Sequence, residues 1–145
     1  MERSQIQLLI REAYEAQKNA YAPYSRFRVG AALLAADGES FRGCNIENAA
    51  FTPTSCAERT AIFKAVSENV REFRAIAIVG GKEDCREEEK EFCPPCGVCR
   101  QVMREFCDPE RFRIILAVSE ENYREYLLKD LLPLSFAPSD LKEGG

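Results

Sequence analysis

The sequence predicts an α/β domain, a mixed sheet with helices on its faces, and three observations carry that expectation. The chain opens on apolar residues at helical spacing, holds two short continuous apolar runs in its second half, and places Asp37-Gly38 between two β-rich runs. Ile6, Leu9, Ile10, Ala13 and Tyr14 recur on one helical face and predict a first helix over residues 4–19, ended by Tyr21-Ala22-Pro23-Tyr24-Ser25. The β-rich run over 28–36 reaches Asp37-Gly38, a strong hairpin signal, and residues 39–45 return as its antiparallel neighbour. Good helix formers over 56–69, with Ala57, Ala61, Ile62, Ala65 and Val66 on one side, predict a second helix beginning at or just before Cys56. Ala75-Ile76-Ala77-Ile78-Val79 reads as a strand buried on both faces and closed by Gly80-Gly81. A third helix over 97–106, a buried strand over 114–118 and a further strand over 123–128 complete the alternation.

No linker, repeat or low-complexity stretch divides the chain, so residues 1–145 are expected to form a single domain. The charged run Arg86-Glu87-Glu88-Glu89-Lys90-Glu91 reads as a solvated loop, and residues 142–145 as a frayed end. With 46% apolar and 30% charged residues the composition is that of a globular protein. A net charge of -4 without any basic tract argues against holding nucleic acid by its phosphates. The chain has no histidine, which excludes imidazole catalysis and histidine metal ligands and leaves carboxylates, thiols, basic side chains or a metal.

Seven cysteines, at 44, 56, 85, 93, 96, 99 and 107, cannot all pair internally. The polar start Met1-Glu2-Arg3-Ser4-Gln5 and the lack of a long apolar stretch predict neither a secretory signal nor a membrane span. A reducing, cytoplasmic location is the expectation, and there closely spaced cysteines read as metal ligands or catalytic thiols. Cys56-Ala57-Glu58-Arg59 and Pro95-Cys96-Gly97-Val98-Cys99 each put cysteine at the start of a predicted helix. Unpaired N–H groups and the partial positive charge there favour the thiolate. Cys56, Cys96 and Cys99 can thus converge on one soft metal, for which zinc is the natural choice, with its fourth position left for water. Cys93-x-x-Cys96 is an alternative register, although Pro94-Pro95 favours an extended path that carries the Cys93 sulfur away. A structural zinc would need a fourth ligand, from Cys93 or Cys44, and a redox dithiol at Cys93 and Cys96 is the remaining alternative. Cys44, Cys85 and Cys107 read as small buried or half-buried apolar residues. Glu58, two residues after Cys56, can reach a metal-bound water, and Arg59 can offset the net negative charge of zinc with three thiolates.

These residues resemble the zinc nucleoside and nucleobase deaminases, and most closely the cytidine deaminases of the small, homotetrameric, all-cysteine kind. The resemblance rests on five segments in the family's order: the run from Tyr21-Ala22-Pro23-Tyr24-Ser25 through Ala32, Gly43-Cys44-Asn45-Ile46-Glu47-Asn48-Ala49, Cys56-Ala57-Glu58-Arg59-Thr60-Ala61, the segment from Pro95 to Gln101, and Leu131-Leu132-Pro133-Leu134-Ser135-Phe136. It implies a three-layer α/β/α sandwich around a five-stranded mixed sheet. It also implies zinc on Cys56, Cys96 and Cys99, proton transfer by Glu58, and charge compensation by Arg59. Around the nucleoside it puts Phe27 against the pyrimidine, Asn45 and Glu47 on the ribose hydroxyls, Ala57 beside them, and Phe136 reaching in from a neighbouring subunit. The implied reaction is hydrolytic deamination of cytidine and deoxycytidine in pyrimidine salvage. Phe51 stands where many relatives carry tyrosine, which takes a hydroxyl from that position.

Overall fold

The computed structural model describes residues 1–141, and the expected frayed end at 142–145 lies outside the described residues. Helix α1 (Arg3–Gln17) leads to β1 (Phe27–Ala35) and β2 (Ser40–Cys44), followed by α2 (Ala57–Ser67), β3 (Phe73–Lys82), α3 (Gly97–Phe106), β4 (Arg113–Ala117), β5 (Tyr123–Leu127) and the short α4 (Leu128–Leu131). The five strands form one sheet in the order β2-β1-β3-β4-β5. β1 pairs antiparallel with β2 and β3, β3 runs parallel to β4, and β4 pairs antiparallel with β5. The mixed sheet expected from the sequence is therefore present, with the Asp37-Gly38 turn joining β1 to β2.

The alternation of strand side chains decides what each face of the sheet packs against. Ala32, Ala75, Ala77, Val79, Ile115 and Ala117 point to one side and meet Ile6, Leu9, Ile10 and Ala13 of α1. Leu33, Ile76, Ile78, Ile114 and Leu116 point to the other, where Ala61, Ile62 and Ala65 of α2 and Cys99 and Met103 of α3 cover them. This is the α/β/α sandwich. Burying a side chain such as Ile62, Ile78 or Phe112, each at 0% exposure, stabilises the fold by roughly 1.5–3 kcal/mol.

Connectivity fixes where the chemistry can lie. A parallel β3–β4 pair needs a crossover, and α3 supplies it. Because α2 precedes β3 and α3 follows it, both helices begin at the end of the sheet where β3 finishes and β1 starts. That end is the carboxyl edge of the parallel pair, the usual ligand side of an α/β sheet. At Gly43 of β2 an added Cβ would stand 2.3 Å from the Ala57 carbonyl oxygen and 2.5 Å from the Ala61 amide nitrogen, so only glycine lets α2 lie this close.

The structure corrects one expectation and adds two details. Gly80-Gly81 does not close the third strand: β3 continues to Lys82, with Val29 opposite Gly80 and Arg28 opposite Gly81, because strand pairing overrides the weak local propensity of glycine. The charged loop at 86–91 contains a 3₁₀ turn, Glu87–Glu89, although it is exposed as expected. Helix α4, four residues long, has no counterpart in the periodicity, which cannot register a single turn.

Gly43→Ala tests the close approach of α2 to β2. Since the obstructing atoms are backbone, the substitution is expected to cost about 1–3 kcal/mol or more, lowering the thermal midpoint by several degrees. An unchanged midpoint in a thermal melt contradicts the packing.

Candidate metal and catalytic site

Cys56 is the N-cap residue of α2 and Cys96 that of α3, and both have extended backbone there. Cys99 lies in the first turn of α3, with its amide 3.4 Å from the Cys96 Sγ. The three sulfurs all lie within 4.8 Å of one another, with 3.8 Å between Cys56 and Cys96 and 3.3 Å between Cys96 and Cys99. Sulfurs around tetrahedral zinc, at about 2.3 Å from the metal, stand about 3.8 Å apart, so this donor set fits zinc with little adjustment. Cys93 and Cys44 are not in the cluster, which among the described residues holds three ligands and not four. All seven cysteines are free.

The positive charge beside the cluster favours anionic sulfur at Cys56. Arg59, one turn into α2, donates from Nη2 to the Cys56 Sγ at 3.0 Å. Its Nε is buried without a hydrogen-bond partner, so the guanidinium depends on the neighbouring sulfurs. Hydrogen bonding from the Cys99 thiol, followed by that from Arg59, lowers the Cys56 pKa to about 5 against the desolvation of its site. The same sharing with Cys56, together with burial, pushes Cys99 far upward. Glu58, 4% exposed, sits between these ligands, and burial raises its carboxyl to about 7. A carboxyl in that range takes up and releases protons near neutrality.

The structure shows how each of the remaining expected residues is held. Phe27 begins β1, and its ring and the Cys93 side chain both lie over Gly80, where an added Cβ would stand 3.2 Å from Phe27 Cε1 and 2.8 Å from the Cys93 Sγ. Cys93 is half-buried, and burial pushes its thiol up to about 11, the behaviour of an inert packing residue. Asn45 is more committed than expected: Oδ1 accepts from the Val29 amide at 2.9 Å, and Nδ2 donates to the Phe27 carbonyl at 2.8 Å. One N–H and one lone pair of the amide remain for a ligand. Glu47 accepts at Oε1 from the amides of Tyr24 and Ser25, at 3.0 and 3.1 Å, and at Oε2 from the Ser25 hydroxyl. These bonds, the Ser25 hydroxyl foremost, hold its carboxyl below the usual range. Ala57 is fully buried at the start of α2. Phe136 stands on the surface at 57% exposure. Sequence reasoning gave no role at the site to Gly80 or Ser25, although Ser25 lies within the first of the segments that carried the resemblance.

Three sulfurs at two helix N-termini thus form a site that fits a zinc ion, with a buried carboxyl on the same helical turn as one of them. A family profile described as "Cytidine and deoxycytidylate deaminase zinc-binding region" matches residues 3–115. The chain is 47% identical to a cytidine deaminase of Halalkalibacterium halodurans over 137 residues, which are 94% of this chain and 98% of the relative. It is 46% identical to a cytidine deaminase of Sporosarcina psychrophila over 136 residues, 94% of each chain. The solved cytidine deaminase of Burkholderia pseudomallei superposes with a TM-score of 0.79 at 44% identity, covering 89% of this chain and 97% of that one. The chain belongs to the cytidine and deoxycytidylate deaminase family, and zinc is its metal.

Arg59→Ala removes the donor to Cys56 and leaves three thiolates on zinc uncompensated. Zinc affinity is expected to fall about 10- to 100-fold, the usual effect of losing a group that supports a ligand. Competition with a chromophoric chelator measures it, and unchanged affinity contradicts the role.

Proposed function

We propose that this chain catalyses the hydrolytic deamination of cytidine and deoxycytidine to uridine and deoxyuridine with release of ammonia, as a step of pyrimidine salvage. The observation that carries this reading is Glu58, buried to 4% exposure, on the same helical turn as one ligand of a three-sulfur cluster. Zinc bound by Cys56, Cys96 and Cys99 supplies Lewis-acid chemistry that makes water acidic near neutral pH. Glu58 accepts a proton from the water that adds to C4 of the pyrimidine. It passes that proton to N3 as the C4–O bond forms, then takes the second proton from the new C4 hydroxyl and gives it to the amine, so that ammonia leaves as the C4–N bond breaks and the C4 carbonyl forms. One carboxyl serves as base and then as acid, a cycle that a group titrating near 7 suits. Arg59 keeps its donor on Cys56 throughout and offsets the surplus negative charge of the ligands.

Substrate selection follows from Phe27, Asn45 and Glu47. Phe27 offers an apolar face to the ring. The Glu47 carboxylate, oriented by Tyr24 and Ser25, and the free capacity of Asn45 receive ribose hydroxyls, with Ala57 at the helix start beside them. A free base has no ribose to engage these groups. The acidic net charge argues equally against polynucleotide substrates.

Residues 1–145 act as one domain in this reading, since a single sheet carries both clusters of buried side chains. Assembly as a homotetramer, with Phe136 completing a neighbour's site, is supported by the apolar side chains that a protomer leaves in water: Leu134 at 106%, Phe51 at 76% and Phe136 at 57% exposure. Seven unpaired cysteines suit a reducing, cytoplasmic setting. Among the described residues no helix is long and apolar enough to cross a membrane.

Glu58→Gln keeps the shape of the site and removes proton transfer, so zinc content should be unchanged while kcat falls at least about 10²- to 10⁴-fold. Ammonia release and the absorbance change of cytidine measure it, and a zinc-replete variant at wild-type rate contradicts the role. Comparing cytidine with cytosine tests Asn45 and Glu47. Loss of hydrogen bonds to a charged group, worth about 1.5–3 kcal/mol, should lower kcat/KM for the base at least tenfold, and equal values refute the ribose contacts.

A further inference from the structure

Residues 133–136, which follow α4, take part in no backbone-to-backbone hydrogen bond among the described residues. Three side chains of α3 hold this segment and its entry instead. Arg100 donates from Nη1 to the Leu131 carbonyl at 2.7 Å, Arg104 from Nε to the Ser135 hydroxyl at 3.0 Å, and Gln101 from Nε2 to the Phe136 carbonyl at 2.9 Å. Spaced at i, i+1 and i+4, the three lie along one side of the helix. Between these anchors Leu134 adopts φ +48°, a conformation that leucine disfavours, and its side chain is wholly exposed. An isolated protomer gains nothing by holding a leucine and a phenylalanine in water on such a backbone. The arrangement gains purpose when another copy receives them.

We propose that Arg100, Gln101 and Arg104 form a clamp on α3 that fixes the projection of Phe136 into the substrate site of a second copy of this chain. The inference rests on the reading above in which Phe136 completes a neighbour's site. It adds which residues place that ring and ties them to the metal. The Arg100 guanidinium also donates from Nε to the Pro95 carbonyl at 2.8 Å, and Pro95 precedes the ligand Cys96. One helix therefore carries two metal sulfurs at its start and the projecting segment along its side. The three side chains are positioning residues: they touch neither the reacting atoms nor the metal.

The test compares Gln101→Ala/Arg104→Ala, Phe136→Ala and the triple variant in the zinc-loaded assembly. Ser135→Ala serves as a second disruption that leaves α3 untouched. KM and kcat for cytidine, zinc content and mass by light scattering are measured for each. The clamp variant should keep its zinc and mass, hold kcat within about twofold and raise KM roughly tenfold, with Ser135→Ala moving KM the same way and Arg104→Lys restoring part of the loss. In the Phe136→Ala background the clamp substitutions should change KM by less than about twofold, because a positioning group has nothing left to position. A clamp variant with wild-type KM overturns the proposal, as does an equal rise in KM with and without Phe136. If Phe136→Ala itself leaves KM unchanged, the reading of Phe136 fails and the clamp with it, an outcome distinct from failure of the clamp alone.

Discussion

Three sulfurs meet because two helices begin at the same place, and most of what this protein does depends on that meeting. Each helix start contributes unpaired N–H groups and partial positive charge, which favour thiolate over thiol. The helices are brought together by the sheet: α2 precedes and α3 follows β3, so both start at its carboxyl end. A glycine in β2 allows α2 to approach until its backbone nearly touches the strand. The metal site is thus a consequence of chain order and one close contact, and it needs no dedicated loop.

Burial and charge work against each other at this point, and the balance makes the chemistry possible. Desolvation lifts Glu58 into the range where it exchanges protons, while the same interior would drive thiols toward neutrality if nothing opposed it. Hydrogen bonding from Cys99, and after it the Arg59 guanidinium, supplies the opposition at Cys56. The fixed positive charge of Arg59 lets anionic sulfur and a protonatable carboxyl share a small, mostly dry volume.

What the sequence disclosed and what it concealed divide along the range of the interactions. Cys56, Glu58, Arg59, Cys96 and Cys99 were legible because helix starts and ligand spacings are local patterns. The hairpin at Asp37-Gly38 and the buried runs of β3 and β4 were legible for the same reason. Gly80 was misread as a terminator, since the strand opposite it lies some fifty residues earlier and nothing nearby reveals the pairing. Asn45 looked free for a ligand, yet its amide is half spent on the backbone at the start of β1. The attachment of residues 131–136 to α3 depends on side chains about thirty residues away, which no periodicity reports.

The central claim is a zinc ion held by three sulfurs with one position free for chemistry beside Glu58. X-ray absorption at the zinc edge of the purified protein tests it most directly. The account predicts one zinc per chain with three sulfur scatterers at about 2.3 Å and one light scatterer at about 2.0 Å. A shell of four sulfurs, or protein free of zinc that still releases ammonia from cytidine, would contradict it.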